Sequence, residues 1–174
     1  MQEIIEKAKK LKLLILDVDG VLTDGRLFFD DNGKEYKTFH ARDGHGIKLL
    51  RQTGVEVAVI SGRKSNSVAL RMKSLGVELV YQGHENKIAA FNEIIESLSI
   101  DSEQAAHVGD DLLDLPVMTR VGLSIAVNDA NDAVKEYADW CTLTSGGLGA
   151  VREVCDFIMQ AQGTFDGVLK SYMQ

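Results

Sequence analysis

The sequence predicts a three-layer α/β sandwich, in which a central, mostly parallel sheet carries helices on both faces. Two observations lead to this prediction. Short apolar runs recur along the 174 residues with amphipathic stretches between them, the pattern of parallel strands joined by helical crossovers. The runs are also continuous rather than alternating, as expected of strands buried on both faces.

In chain order, strands are expected at Leu13-Leu14-Ile15-Leu16, Val55 to Ile60, Val77 to Tyr81, Ala105 to Val108, Leu123 to Val127 and Trp140 to Leu143. Helices are expected near Gly44 to Gln52, Ser65 to Leu75, Lys87 to Leu98, Asp114 to Arg120, Ala130 to Tyr137 and Leu148 to Gln160. Several begin at Asp, Ser or Asn and end at Gly, the residue types that suit helix starts and stops. One segment breaks the rhythm. Leu27-Phe28-Phe29 and Glu35 to His40, on either side of Asn32-Gly33, have the pattern of a β-hairpin. This insertion, about residues 26–40, is too small for a second domain, so the chain reads as one domain over 1–174. Residues 163–174 lack a clear pattern and are expected to form a tail, mobile or ordered against a partner.

A composition of 45% hydrophobic and 26% charged residues is that of an ordinary globular domain with a substantial core. The net charge of −7 argues against a general nucleic-acid or acidic-membrane binder, because phosphate backbones are held by clustered Lys and Arg. A phosphate ligand must instead meet a small group of cations or a metal. Cys141 and Cys155 form no CxxC, so a disulfide framework or zinc site is not expected, and a reduced cytoplasm fits. No run approaches signal-peptide or transmembrane pattern, so no membrane partner is expected.

In open parallel sheets the ligand site lies beyond the carboxyl ends of the strands. The first strand is followed by Asp17-Val18-Asp19-Gly20, the second by Ser61-Gly62-Arg63, and the fourth by Gly109-Asp110-Asp111 with Asp114 one turn on, while Lys87 opens the helix after the third. Crowded carboxylates repel unless a cation compensates, and an all-oxygen set suits Mg²⁺. Lys87 and the Ser61 hydroxyl are then placed for phosphoryl oxygens. Asp17 and Asp19, two residues apart, can divide the work: one attacks phosphorus and the other, alternating between protonation states, serves the leaving oxygen. Gly20, Gly62 and Gly109 are expected to let backbone approach the phosphate. Taken singly, each Asp could be a helix cap, Lys87 a solvated residue and Ser61 a turn residue; gathered at successive strand ends, purely structural carboxylates would accumulate repulsion without benefit.

The ordered set Asp17-x-Asp19-Gly20-Val21-Leu22-Thr23, Ser61, Lys87 and Gly109-Asp110-Asp111-x-x-Asp114 resembles the four motifs of haloacid dehalogenase superfamily phosphatases, whose fold is Rossmann-like. The resemblance implies that Asp17 is the nucleophile and a Mg²⁺ ligand. It makes Asp19 the acid/base and a ligand through its carbonyl, and Asp110 the third ligand, with Asp111 and Asp114 supporting them and Ser61, Gly62 and Lys87 on the phosphate. Asp17 to Gly25, Ala41 to Gly44, Ser61 to Lys64, Tyr81 to Gly83 and Gly146 to Cys155 look like the cap-less branch that hydrolyses the 8-phosphate of an eight-carbon sugar acid in lipopolysaccharide synthesis. That branch implies a homotetramer whose hairpins and tails cover neighbouring sites, and it places Asp19, His40, Ala41, Arg42, Asp43, Gly44, Lys48, Arg63, Arg71 and Lys87 around the sugar acid. Guanidinium groups such as Arg42, Arg63 and Arg71 suit its carboxylate.

Relatives with an inserted cap domain exclude water with it; here the hairpin is the only insertion. Its Leu27, Phe28, Phe29 and Phe39 are expected to form an interface with another subunit, or else to fold back on their own domain. Of three other readings, only the last stays open. A two-component receiver would need its phospho-accepting Asp after a middle strand and before the hydroxyl and Lys, an order this chain lacks. A metal-binding assembly module has no use for both Asp17 and Asp19. A phosphatase for another sugar acid, such as a nine-carbon acylneuraminate 9-phosphate, would share every feature above.

Overall fold

A computed structural model describes residues 1–173. Six parallel strands form the central sheet: β1 (Leu13–Leu16), β4 (Glu56–Ser61), β5 (Leu79–Gln82), β6 (Ala105–Gly109), β7 (Leu123–Ala126) and β8 (Trp140–Cys141), in the spatial order β5-β4-β1-β6-β7-β8. The short strands β2 (Phe28–Phe29) and β3 (Glu35–Tyr36) pair antiparallel as a separate hairpin. The helices are α1 (Gln2–Lys9), α2 (Ala41–Gln52), α3 (Asn66–Leu75), α4 (Lys87–Leu98), α5 (Leu115–Met118), α6 (Asp132–Tyr137), α7 (Ala150–Ala161) and α8 (Phe165–Ser171).

Side chains alternate across a strand, so each apolar run supplies two cores. Leu14 and Leu16 of β1 join Val57, Val59, Ala106, Val108 and Ile125 beneath α2, α3 and α7, whereas Leu13 and Ile15 join Ala58, Ile60 and Ala105 beneath Ala90, Phe91 and Ile94 of α4 and Val117 of α5. This two-faced burial is why the strands read as continuous hydrophobic runs.

Every expected strand and helix is present, with ends moved by a few residues. The Asp114 to Arg120 helix is the most altered, shortened to α5 behind a 3₁₀ turn at Leu112–Asp114. Two helices were not expected. α1 buries only Ala8 and leans Ile4 on the core, too narrow an apolar stripe to stand out in sequence; its end is fixed by Gln162, whose side-chain amide donates to the Ala8 and Leu11 carbonyls at 3.1 and 2.9 Å. The tail forms α8 after Gly163, whose φ of +70° turns the chain, and Phe165 and Val168 pack on the chain's own core.

The hairpin closes through Asp30, Asn32 and Gly33. The Asp30 carboxylate accepts the amides of Asn32 and Lys34, each at 2.9 Å, and Gly33 takes the left-handed conformation at φ +77°. Leu27, Phe28, Phe29 and Tyr36 remain exposed, Phe28 by 68%. Phe39 departs from the expected apolar face and packs on the main core.

Candidate active site

The site lies where the sheet reverses. β1 has β4 on one side and β6 on the other, so the connections leave it in opposite directions and a crevice opens beyond the strand ends. Asp17, Asp19, Ser61, Gly62, Arg63, Lys87, Asp110, Asp111, Leu113 and Asp114 line one cavity there, of about 170 Å³. A larger hollow, about 980 Å³, opens at the amino ends of the strands; the titratable residues that line it, Lys9, Lys10, Lys12, Asp101 and Glu103, are all exposed, and it brings together no buried polar group.

Lys87 is the hub of the cavity. Asn86 caps α4 by accepting the Ile88 amide at 3.2 Å, which sets the helix start just where Lys87 can turn inward. The Lys87 side chain is 2% exposed, and its Nζ lies 2.6 Å from Asp17 Oδ1 and 2.7 Å from Asp114 Oδ1. Asp114, also fully buried, accepts from His107 Nε2 at 2.9 Å through the same oxygen and from the amides of Asp110 and Asp111 at 3.0 and 3.3 Å through the other. Every acceptor direction of Asp114 is thus occupied by the protein.

Two of the glycines expected to let backbone approach the phosphate also make room for these carboxylates. A Cβ on Gly20, where φ is +96°, would overlap the Asp110 carboxyl, and one on Gly109 would overlap the Asp114 carboxyl; a Cβ on Gly62 meets nothing within 4 Å. A second pair buttresses the Asp19-Gly20 turn. A Cβ on Gly146 would overlap the Gly20 carbonyl oxygen, and the Gly147 amide donates to the Val21 carbonyl at 2.9 Å.

Asp17, Asp110 and Asp114 can bring one oxygen each within 4.8 Å of the others. Burial first, then the charge of Asp114, lifts Asp17 to about 6 against the pull of Lys87. Burial and the charges of Asp17, Asp114 and Asp111 push Asp110 to about 8. Burial would raise Asp114 too, but His107 and Lys87 hold it below the usual carboxylate range. One ammonium does not neutralise three carboxylates, so the arrangement fits a second cation, and an all-oxygen donor set suits a hard divalent ion. With Asp114 fully engaged, Asp17 and Asp110 are the carboxylates left to face it.

The residues expected around a sugar acid divide. Arg63 stands at the cavity rim, its Nη2 3.1 Å from Glu35 Oε2 and its Nε 4.0 Å from Asp19 Oδ2. Arg42 lines a separate hollow of about 270 Å³ with Thr144, Leu148, Gly149 and Arg152, and Lys48 lies beside Arg51, Gln52 and Lys73. Arg71 sits with its guanidinium against Gly44, between α2 and α3. Ala41 begins α2 behind His40, whose Nδ1 is buried with no hydrogen-bond partner among the described residues. The Asp43 side chain is turned inward, Oδ1 accepting the Arg152 amide at 2.8 Å to cap α7, and burial raises its pKa.

Three residues at the site escaped the sequence reading. His107 occupies a strand position where an apolar residue was expected. Glu35 and Lys37 lie in a segment read for its apolar residues. Being two apart in extended chain they share one side, and that spacing was the available signal. The Lys37 ammonium meets Asp19 Oδ1 and, at 3.0 Å, Glu35 Oε1.

Among the described residues no helix is long and apolar enough to cross a membrane. A family model described as haloacid dehalogenase-like hydrolase matches residues 77–154. The 3-deoxy-D-manno-octulosonate 8-phosphate phosphatase of Escherichia coli K12 is 50% identical over 164 residues, covering 94% of this chain and 87% of that protein. The crystal structure of the phosphatase of the same name from Yersinia pestis superposes with a TM-score of 0.94 at 44% identity, covering 95% of this chain and 89% of the other. The one from Moraxella catarrhalis, solved in complex with magnesium ion, phosphate ion and KDO, superposes with a TM-score of 0.97 at 39% identity over 99% of both chains. With identity of this extent spanning all the strand-end motifs, the chain belongs to the haloacid dehalogenase-like hydrolases and, among them, to the 3-deoxy-D-manno-octulosonate 8-phosphate phosphatase family.

Proposed function

We propose that the enzyme hydrolyses 3-deoxy-D-manno-octulosonate 8-phosphate to the free sugar acid and phosphate, with Mg²⁺ as cofactor, on the way to lipopolysaccharide. The observation that carries this reading is the buried Lys87 bridging Asp17 and Asp114 inside a cavity of crowded carboxylates. Asp17, the Asp19 carbonyl and Asp110 would hold the ion, with Asp111 and Asp114 supporting them. When bound, Mg²⁺ neutralises the cluster and offsets the negative charge of the phosphoryl group.

Asp17 keeps Oδ1 on Lys87, which leaves Oδ2 to attack phosphorus. The bond from phosphorus to the sugar oxygen breaks, and Asp19 gives that oxygen a proton. Asp19 then takes a proton from the incoming water, whose oxygen displaces the Asp17 carboxylate and releases inorganic phosphate. Ser61, Gly62 and Lys87 hold the phosphoryl oxygens; the Ser61 hydroxyl is buried at the end of β4 and among the described residues accepts only the Arg63 amide, at 3.3 Å, which leaves its own hydrogen to donate. Arg63 stands nearest for the substrate carboxylate. His40, Ala41, Arg42, Gly44, Lys48 and Arg71 belong to the same reading, as residues that would reach substrate in an assembly.

Phosphate release from a panel of eight-carbon and nine-carbon sugar-acid phosphates and simple monoesters, with and without Mg²⁺, tests the proposal. Magnesium-dependent turnover strongest on the eight-carbon acid is expected; turnover unchanged by chelation would overturn it.

A homotetramer in the cytoplasm is part of this reading. The exposed Leu27, Phe28, Phe29 and Tyr36 stand on the hairpin next to the cavity rim, an apolar patch suited to a neighbouring subunit. Cys141 and Cys155 are free thiols, which a reducing compartment suits. Light scattering is expected to give about four times 19.1 kDa, and Phe28→Asp should lower both that mass and the activity. A fully active monomer would remove the assembly.

A further inference from the structure

We propose that Lys37 is a positioning residue for the acid/base carboxyl, fixing Asp19 through Oδ1 so that Oδ2 is the atom that faces the leaving oxygen. The inference rests on the reading of Asp19 given above and adds a residue outside the strand-end motifs. The Lys37 side chain is 2% exposed although it lies just beyond a short, largely exposed hairpin. Its ammonium sits between Asp19 Oδ1 and Glu35 Oε1, and Glu35 is held in turn by Arg63. Asp19, Lys37, Glu35 and Arg63 therefore form a chain of alternating charge that ties the hairpin to the loops after β1 and β4.

Two features point to positioning rather than simple anchorage. First, the buried Lys37 ammonium is met by two carboxylates, Asp19 and Glu35; burying a charge costs several kcal/mol unless close partners offset it. Second, the two Asp19 oxygens are unequal. Oδ1 is engaged by Lys37, whereas Oδ2 is buried with no hydrogen-bond partner among the described residues and has Arg63 Nε at 4.0 Å. The contact to Oδ1 biases the orientation of the carboxyl and leaves Oδ2 as the oxygen free to serve the leaving group. An ammonium contributes this hold without competing as an acceptor for the transferred proton.

The test compares two esters on one preparation of full-length, magnesium-loaded enzyme: an alkyl phosphate, whose leaving oxygen needs a proton, and p-nitrophenyl phosphate, whose phenolate leaves without one. Positioned proton transfer contributes about 10²–10⁴-fold. Lys37→Met is expected to lower kcat on the alkyl ester about 100-fold and on the nitrophenyl ester less than about tenfold, with KM changed little, and Lys37→Arg should restore most of the difference. Glu35→Gln, which leaves the ammonium but loosens it, should show the same bias more weakly. Because each variant supplies its own ratio, partial unfolding cancels. Equal losses on both esters, or a loss confined to KM, would overturn the role of Lys37 while Asp19→Asn still showed the bias. An Asp19→Asn enzyme without bias would bring down the acid/base reading itself, and this inference with it.

Discussion

Asp17→Asn is expected to reduce phosphate release by about 10⁴-fold or more, the scale on which an enzyme suffers when its covalent nucleophile is removed. The amide has no anionic oxygen to attack phosphorus, yet it is isosteric and its carbonyl can still accept from Lys87, now 2.6 Å from Asp17 Oδ1. The variant should therefore bind substrate while failing to turn it over. It should also fold at least as well as the parent. The Asp17 charge is one of the causes that lift Asp110 to about 8, so removing it relieves repulsion inside the cavity. The two outcomes are measured together, as single-turnover phosphate release and as melting temperature near pH 8. A variant at the parent rate would end the nucleophile assignment, and one with lost activity and a lowered melting temperature would leave the rate uninterpreted until Asp17→Ser was compared.

The sheet was legible because its physics is local: a run such as Leu13 to Leu16 has no soluble alternative to burial on both faces, and the carboxylates that follow the strands have no structural reason to collect. The strand ends thus brought forward Asp17, Asp19 and Lys87, the proposed nucleophile, acid/base and phosphate cation, together. What stayed hidden depends on pairings between distant segments. α1 and α8 bury too little apolar surface to carry a periodic signal and are held by contacts such as Gln162 with Ala8, 154 residues apart. Asp43, which the resemblance places among the substrate residues, also caps α7 through Oδ1, since a carboxylate at a helix start can face a second helix. Gly20 and Gly109 are points of close approach for the carboxyls of Asp110 and Asp114, a pairing that the spacing of glycines along the chain does not reveal. The spacing of Glu35 and Lys37 hinted at a pair on one side, but Lys37 and His107 gain their meaning only from partner carboxylates 18 and 7 residues away.

Lys87→Met should produce the second-largest effect, and its dependence on pH tests whether the carboxylate crowd is real. Burial would lower the Lys87 pKa, but Asp17 and Asp114 outweigh it and hold the ammonium charged. Removing it strands buried carboxylates, a change that costs about 3–5 kcal/mol when one partner of a buried pair is deleted, and turnover should fall at least about 10³-fold as the phosphoryl oxygens lose their cation. The direction with pH follows from the two groups raised above the ordinary aspartate value. In the folded chain Asp17, at about 6, and Asp110, at about 8, keep protons that the unfolded chain gives up near 4. Metal-free protein should therefore be favoured at low pH by these two groups and lose that contribution as pH rises from about 4 through 8. Asp114, held low by its partners, acts in the opposite sense, and its contribution is lost only as the solution becomes strongly acidic. In Lys87→Met the fall between pH 5 and 8 should steepen, since the ammonium that opposed the rise of both raised groups is gone, and added Mg²⁺ should recover more melting temperature at pH 8 than at pH 5, where protonated carboxyls attract it less. Parallel pH profiles for parent and variant, with equal Mg²⁺ shifts at both pH values, would mean that the three carboxylates do not share a charge deficit and that the cation site is elsewhere.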